Sequence, residues 1–124
     1  MPDAATLEAF IATVERGEHV EAIENFYTPD ATMQENLAPP RVGREVLAAH
    51  ERRALARATS VDSACIRPVL VDGDHVVIRW VFVFHRPDGS RTRIEELAWQ
   101  RWAGNQIAQE QFFYDPVQFQ QPAD

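Results

Sequence analysis

The chain has 124 residues, 45% hydrophobic and 25% charged, which is enough for one globular domain around a single core and too little for two. Its formal net charge of -7 argues against nucleic acid or an anionic membrane surface as partner, since both need a basic field. No apolar run approaches the roughly 18 residues of a membrane span, Met1-Pro2-Asp3-Ala4-Ala5 carries no signal-like core, and Cys65 stands alone without a disulfide or zinc partner, so the expected location is the cytoplasm.

Leu7, Phe10, Ile11 and Val14 recur at the spacing of one apolar helix face, with Pro2 and Asp3 ahead of it and Gly17 as a stop. A second helix is predicted over 20–27, burying Val20, Ile23 and either Phe26 or Tyr27, and Pro29 blocks its continuation. Residues 31–36 read as a short strand carrying a carboxylate, Glu35, where an apolar residue would be expected. A loop through Pro39, Pro40 and Gly43 leads to a third helix over 44–57, with Val46, Leu47, Ala54 and Leu55 facing inward. Arg44, Arg52, Arg53 and Arg57 read as its solvated face.

The remainder predicts strands: 61–71 with a bulge at Pro68, 75–85, 91–102 and 106–114, joined by turns at Asp72-Gly73-Asp74, Pro87-Asp88-Gly89-Ser90 and Ala103-Gly104-Asn105. The tail after Pro116 is polar and is expected to fray or to dock on a neighbour. Helices followed by hairpin-linked strands make an α+β layout. On 75–85, Trp80, Phe82 and Phe84 alternate with Val77, Val81 and Val83, so both faces of the sheet are apolar. The helices cover one face, and covering the other predicts a homodimer through the sheet.

Gly17-Glu18, the turn Phe26-Tyr27-Thr28-Pro29-Asp30-Ala31-Thr32, Gly43 ahead of the third helix, and Gly104-Asn105-Gln106-Ile107 before the aromatic stretch 107–116 follow one another in a specific order. Together they resemble the NTF2-like superfamily, in its SnoaL-like and ketosteroid-isomerase-like branch, over nearly the full chain. The resemblance implies a cone of three N-terminal helices packed on a curved, mostly antiparallel sheet, with a ligand pocket between them. It divides the chain into a domain over 1–116 and a polar tail over 117–124. This fold hosts isomerases, cyclases, dehydratases, epoxide hydrolases and pure binding modules, so it does not fix an activity.

By that resemblance, Ala31-Thr32 matches the Ala-Thr that precedes a general-base aspartate by three residues, which puts Glu35 in the base position. A base that removes a proton beside a carbonyl needs a partly dry pocket that raises its pKa. The positions of the isomerases' two oxyanion donors fall on Phe10 and near Ala98, so both donors are missing and steroid isomerisation by that route is disfavoured. The epoxide-hydrolase carboxylate falls near Phe112, which disfavours that branch too. Asp115 matches a frequent final-strand aspartate that serves as acid/base in cyclase relatives; a turn residue bonding the backbone is the competing interpretation.

Strand alternation then proposes the walls. If Ala98 faces inward, so do Glu96, Gln100 and Trp102; if Phe112 does, so do Glu110 and Tyr114. A one-residue bulge would swap these faces. Trp80, Phe82, Phe84, Met33 and Tyr27 complete a site for a small, flat, apolar ligand, although aromatics at such spacing are more often simply core. Glu96 and Glu110 could not both stay ionised in one low-dielectric pocket, so one would hold a proton and act as a general acid, unless Arg79, Arg93 or Arg101 neutralises them across the strands. Tyr114 is the better-directed phenol donor. His19 is expected at a solvent-exposed break, His75 and His85 at strand ends, and His50 facing the pocket. No histidine pair has metal-ligand spacing, and no phosphate loop or dinucleotide fingerprint occurs, so neither metal nor cofactor is expected. These residues point to a cofactor-independent isomerase, cyclase or dehydratase acting on a carbonyl compound, or to a non-catalytic binding or accessory dimerisation domain on the same fold.

Overall fold

The computed structural model describes residues 1–120. Helices α1 (Ala4–Glu15) and α2 (His19–Phe26) come first, followed by strands β1 (Tyr27–Glu35) and β2 (Arg41–Val42). Helix α3 (Arg44–Leu55) then precedes β3 (Ser60–Asp72), β4 (His75–His85), β5 (Arg91–Ala103) and β6 (Gln106–Phe113). Two of the three helices thus precede the sheet and the third sits between β2 and β3. The six strands form one mixed sheet in the order β2-β1-β6-β5-β4-β3, with β1 parallel to β6 and every other neighbour antiparallel. The architecture is α+β.

The predicted apolar face of α1 is the buried one: Leu7, Phe10, Ile11 and Val14 all lie in the core. Gly17 ends the helix at φ 82°, in the left-handed region that a side chain disfavours. Helix α2 stops at Phe26 and Tyr27 already belongs to β1, four residues before the predicted strand start. Pro29 does block the helix, but the chain continues extended through it. The β1–β6 register slips between Tyr27 and Thr32, so the missing proline N–H falls at an irregular stretch of the ladder.

Gly43, at φ 102°, opens α3, which buries Leu47 and Ala48. Val46, predicted to face inward, is exposed, and so is Ala54; Leu55 is half-buried. Two residues, Arg41 and Val42, pair with β1 where a plain loop was expected. The bulge at Pro68 is present as a register shift between Ile66 and Leu70.

The helix-facing side of the sheet carries Val76, Ile78, Trp80 and Phe82 of β4 with Ile94, Ala98 and Trp102 of β5, all buried. The opposite side shows Ile66, Leu70, Leu97, Trp99 and Phe113 to solvent. Arg79 and Arg93 sit on that outer side, each 2.9 Å from Glu95.

The tail departs from expectation. Residues Pro116–Gln120 form a 3-10 turn docked on the domain's own sheet. The Glu95 N–H donates to Gln118 Oε1 at 2.8 Å and Gln118 Nε2 donates to the Glu95 carbonyl at 3.0 Å. The last β5–β6 pair is Leu97 with Phe113, so the backbone of Glu95 has no β6 partner and accepts the glutamine instead. Phe119 rests 6.2 Å from the Phe84 ring and 5.7 Å from Tyr114. The predicted tail positions 121–124 lie outside the described residues.

Phe10 ties the layers together, with ring centroids 5.6 Å from Phe26, 6.3 Å from Tyr27 and 5.9 Å from Trp102. Phe10→Ala should therefore cost about 3–5 kcal/mol of unfolding free energy, measurable by urea denaturation. A loss below about 1 kcal/mol would mean that the helix is not anchored there.

Candidate active site

A cavity of about 410 Å³ opens between the helices and the inner face of the sheet. Its helical wall comes from Phe10 and Val14 of α1, His19, Ala22 and Ile23 of α2, and His50, Glu51 and Ala54 of α3. Its sheet wall comes from Tyr27, Met33 and Glu35 of β1, Trp80, Phe82 and Phe84 of β4, Ile94 and Glu96 of β5, and Glu110 and Phe112 of β6. Tyr114 and Phe119 close one side, and Arg41, Arg57 and Arg86 stand among the lining residues. Trp80 and Phe82, two apart on β4, share a face and stack at 5.6 Å with their planes 19° apart.

The predicted faces of β5 and β6 hold around the cavity. Gln100 lies directly opposite Glu110 and Ala98 opposite Phe112, which brings both carboxylate-bearing positions to the inner side. The bulge that could have swapped them does exist, but it falls between Arg101 and Trp102, beyond this stretch, and turns Ile107 inward there. Ala98 and Trp102 are buried in the core and do not reach the cavity surface. Asp115 is also off the cavity: it is exposed, and its Oδ1 accepts the Val117 N–H at 3.0 Å as a turn residue does.

Glu110 is 2% exposed and forms the centre of a buried polar chain. The Tyr27 hydroxyl donates to its Oε1, and Gln100 Nε2 donates to its Oε2 at 2.6 Å. Trp102 Nε1 in turn donates to Gln100 Oε1 at 2.9 Å and so fixes which end of the amide faces the carboxylate. Burial raises the Glu110 carboxyl, the two donors pull it down, and the result is about 7. Burial first, and then the charge of Glu110, hold the Tyr27 phenol well above its usual range.

Glu96 is different. No hydrogen bond or ion pair holds it among the described residues, and Arg79 and Arg93 are both occupied with Glu95 on the other face. Desolvation, followed by the charges of Glu110, Glu35 and Glu51, pushes its carboxyl up to about 8. At neutral pH it holds a proton that it can donate into the cavity.

Glu35 stands at the rim with both oxygens engaged. Arg41 Nη2 is 2.7 Å from Oε2, and the Tyr114 hydroxyl donates to Oε1 at 3.1 Å. Burial, and next the Glu35 carboxylate, raise the Tyr114 phenol to about 12. His19, expected in solvent, instead lines the cavity: its ring lies 5.5 Å from Phe82, its Nε2 is 2.8 Å from Ser63 Oγ, and its Nδ1 is 3.6 Å from Glu51. Arg44 donates to the Tyr27 carbonyl at 3.0 Å and is not a purely solvated side chain. His19, Glu51, Arg41 and Arg86 carried no sequence signal, because each reaches the cavity from a different element and no local spacing links them. Among the described residues, no cluster of three His, Cys, Asp or Glu side chains has a metal-binding arrangement.

The family model described as a SnoaL-like domain matches residues 7–110, most of the chain. The protein belongs to the SnoaL-like family. This places the SnoaL-like chain in the NTF2-like superfamily, in agreement with the resemblance seen in its sequence. No curated protein matches it. Among solved structures it is similar to a Catenulispora acidiphila protein of ketosteroid isomerase-like fold in complex with trimethylamine, at 21% identity and TM-score 0.76, covering 93% of this chain and 88% of that one. It is also similar to TerC co-crystallised with polyporic acid, at 15% identity and TM-score 0.77, with 94% and 93% covered. A third neighbour is a candidate SnoaL-like polyketide cyclase of Mesorhizobium loti, at 19% identity and TM-score 0.74, with 90% and 97% covered. At these identities the likeness establishes the fold.

Glu96 and Glu110 both have folded-state pKa values above the ordinary 4.5, so the native protein holds protons that the unfolded chain releases. The stability this gives is complete below about pH 4.5 and is lost as pH rises through about 7 for Glu110 and about 8 for Glu96. The melting temperature should therefore fall between pH 5 and pH 8.5, and Glu96→Gln should flatten part of that fall. Identical pH slopes for the two proteins would show that Glu96 is ionised in the native state throughout.

Proposed function

We propose that this protein is a cofactor-independent enzyme that isomerises, cyclises or dehydrates a small apolar carbonyl compound held in the cavity, using cavity carboxyls as general acid and base. The observation that carries this is Glu96, a carboxyl without a partner among the described residues that faces an aromatic wall and is protonated at neutral pH. It can hand its proton to a carbonyl oxygen or to a departing hydroxyl. Glu35, the carboxylate paired with Arg41, supplies the base on the neighbouring rim, where Tyr114 orients it. Trp80, Phe82, Phe84 and Phe112 present flat faces for an unsaturated ring system. Glu110 keeps both oxygens engaged and orients the floor of the site. The neighbours crystallised with polyporic acid and with trimethylamine support a cavity that takes small molecules.

Turnover of a panel of polycyclic ketones and β-hydroxy ketones tests this. Glu96→Gln keeps the shape and removes the proton, so kcat should fall about 100-fold or more while the melting temperature holds or rises. Asp115→Asn, on the exposed turn, should leave kcat unchanged. Full activity in Glu96→Gln would reject the assignment.

A second reading, a binding module without turnover, is favoured by Phe10 and Ala98, which place apolar core where the isomerase-like resemblance puts oxyanion donors. A catalyst tuned to an enolate should bind enolate-like phenols more tightly than matched ketones, whereas a plain binder should rank both by buried area.

The uncovered sheet face supports a homodimer. Leu70 is 59% exposed, Trp99 51%, Leu97 44% and Phe113 40%, an apolar display gathered on one face of the sheet. Sedimentation should give twice the mass of the chain, and Trp99→Lys should shift it to monomer. A monomeric wild type at micromolar concentration would exclude this interface.

A further inference from the structure

Glu96 of β5 lies opposite Trp80, whereas Arg86 follows the far end of β4, past Phe84. Glu96 and Glu110 lie within the cavity without a guanidinium partner among the described residues, while two arginines stand together elsewhere on its lining. Arg57 and Arg86 come from distant parts of the chain, one just past α3 and the other just past β4. They are brought to the same end by Thr59, whose N–H and Oγ1 both donate to the His85 carbonyl, at 2.7 Å and 3.0 Å. Ala58 and Phe84 line the wall beside them. No side-chain partner occupies Arg57 among the described residues. Arg86 spends one N–H on Thr92 Oγ1 at 2.8 Å and has no further side-chain hydrogen bond among the described residues. Asp88, in the same hairpin, feels the charge of Arg86, but its Oδ1 is taken by the Ser90 N–H at 2.9 Å and the Ser90 hydroxyl at 2.6 Å. Arg41, the third cavity arginine, is committed to Glu35.

We infer that Arg57 and Arg86 form an anion clamp at the cavity mouth, so that the ligand is an aromatic or polycyclic body bearing one acidic group, a carboxylate or an acidic enolate, that stays at the mouth while the body lies along Trp80 and Phe82. Guanidinium forks match the planar oxygens of a carboxylate, and the half-exposed mouth spares both ions full desolvation. The protonated Glu96 then meets the neutral, carbonyl-bearing part of the same molecule. This rests on the cavity being a small-molecule site, as proposed above, and adds the charge and the direction of the ligand.

Binding can be tested without turnover by calorimetry at pH 7 with three probes of one shape: 2-naphthoate, 2-naphthamide and 2-naphthylmethylamine. The clamp predicts that the carboxylate binds about tenfold or more tightly than the amide at low salt, with the gap narrowing as salt rises. Arg57→Gln should reduce that preference severalfold and leave amide binding unchanged. Arg57 is exposed and has no side-chain hydrogen bond or ion pair among the described residues, so this variant keeps the test sound even if Arg86→Gln, which loses the bond to buried Thr92, folds poorly. Equal binding of carboxylate and amide, a preference unmoved by Arg57→Gln, or tightest binding of the amine would each overturn the clamp and leave the small-molecule site standing. Binding of none of the three would overturn both.

Discussion

A carboxyl group that is 2% exposed must find donors or give up its charge, and Glu110 does some of each. Its donors come from separate parts of the chain: Tyr27 from the start of β1, Gln100 from β5, and Trp102 behind Gln100. The phenol reaches Glu110 from the first position of β1, directly after α2 ends at Phe26. This bond also agrees with the one parallel pairing of the sheet, in which Met33 of β1 lies beside Glu110 of β6. With Trp102 drawn toward Gln100, Phe10 meets its ring edge-on and α1 is seated on the sheet. The polar chain and the apolar contacts therefore select the same packing, which is the consistency a unique fold requires.

The same arrangement separates carboxyls by environment. Glu110 is bonded on both oxygens, Glu35 is paired at the rim, and Glu96 has no side-chain partner among the described residues and is protonated at neutral pH. Three glutamates of identical intrinsic chemistry thus sit in three different environments within one cavity, set by burial and partners. The outer face of the sheet shows the converse. There, Arg79 and Arg93 bracket Glu95, one position from Glu96 along β5, and hold it ionised. Strand alternation sends neighbours in sequence to opposite electrostatic fates.

Much of the fold was legible because its signals are local. The apolar face of α1, the glycine breaks, the bulge at Pro68 and the long alternating strands all depend on residues close in sequence. Alternation put Glu96 on the face of Ala98 and Glu110 on that of Phe112, and those groupings survived because the β5–β6 bulge falls beyond them; that this face is the inner one is decided by the packing. The misplaced features were those in which a distant contact decided the outcome. Val46 was expected inward, but α3 turns Leu47 and Ala48 to the core. The tail was expected to fray, but Gln118 met an unpaired backbone on β5. His19 was expected in solvent, but Phe82 and Ser63 draw it to the cavity.

The sequence by itself determined the α+β class, the order and type of nearly every element, and which side chains of β5 share a face with Glu96, since periodicity and turn chemistry are properties of short segments. Only the tertiary structure decided what the cavity carboxylates are. Whether a glutamate is a bonded anion, a paired rim charge or an acid holding a proton depends on how much water is removed and which donors arrive. Those donors, Arg41 for Glu35 and Tyr27 and Gln100 for Glu110, are brought in by folding, and among the described residues packing brings none to Glu96.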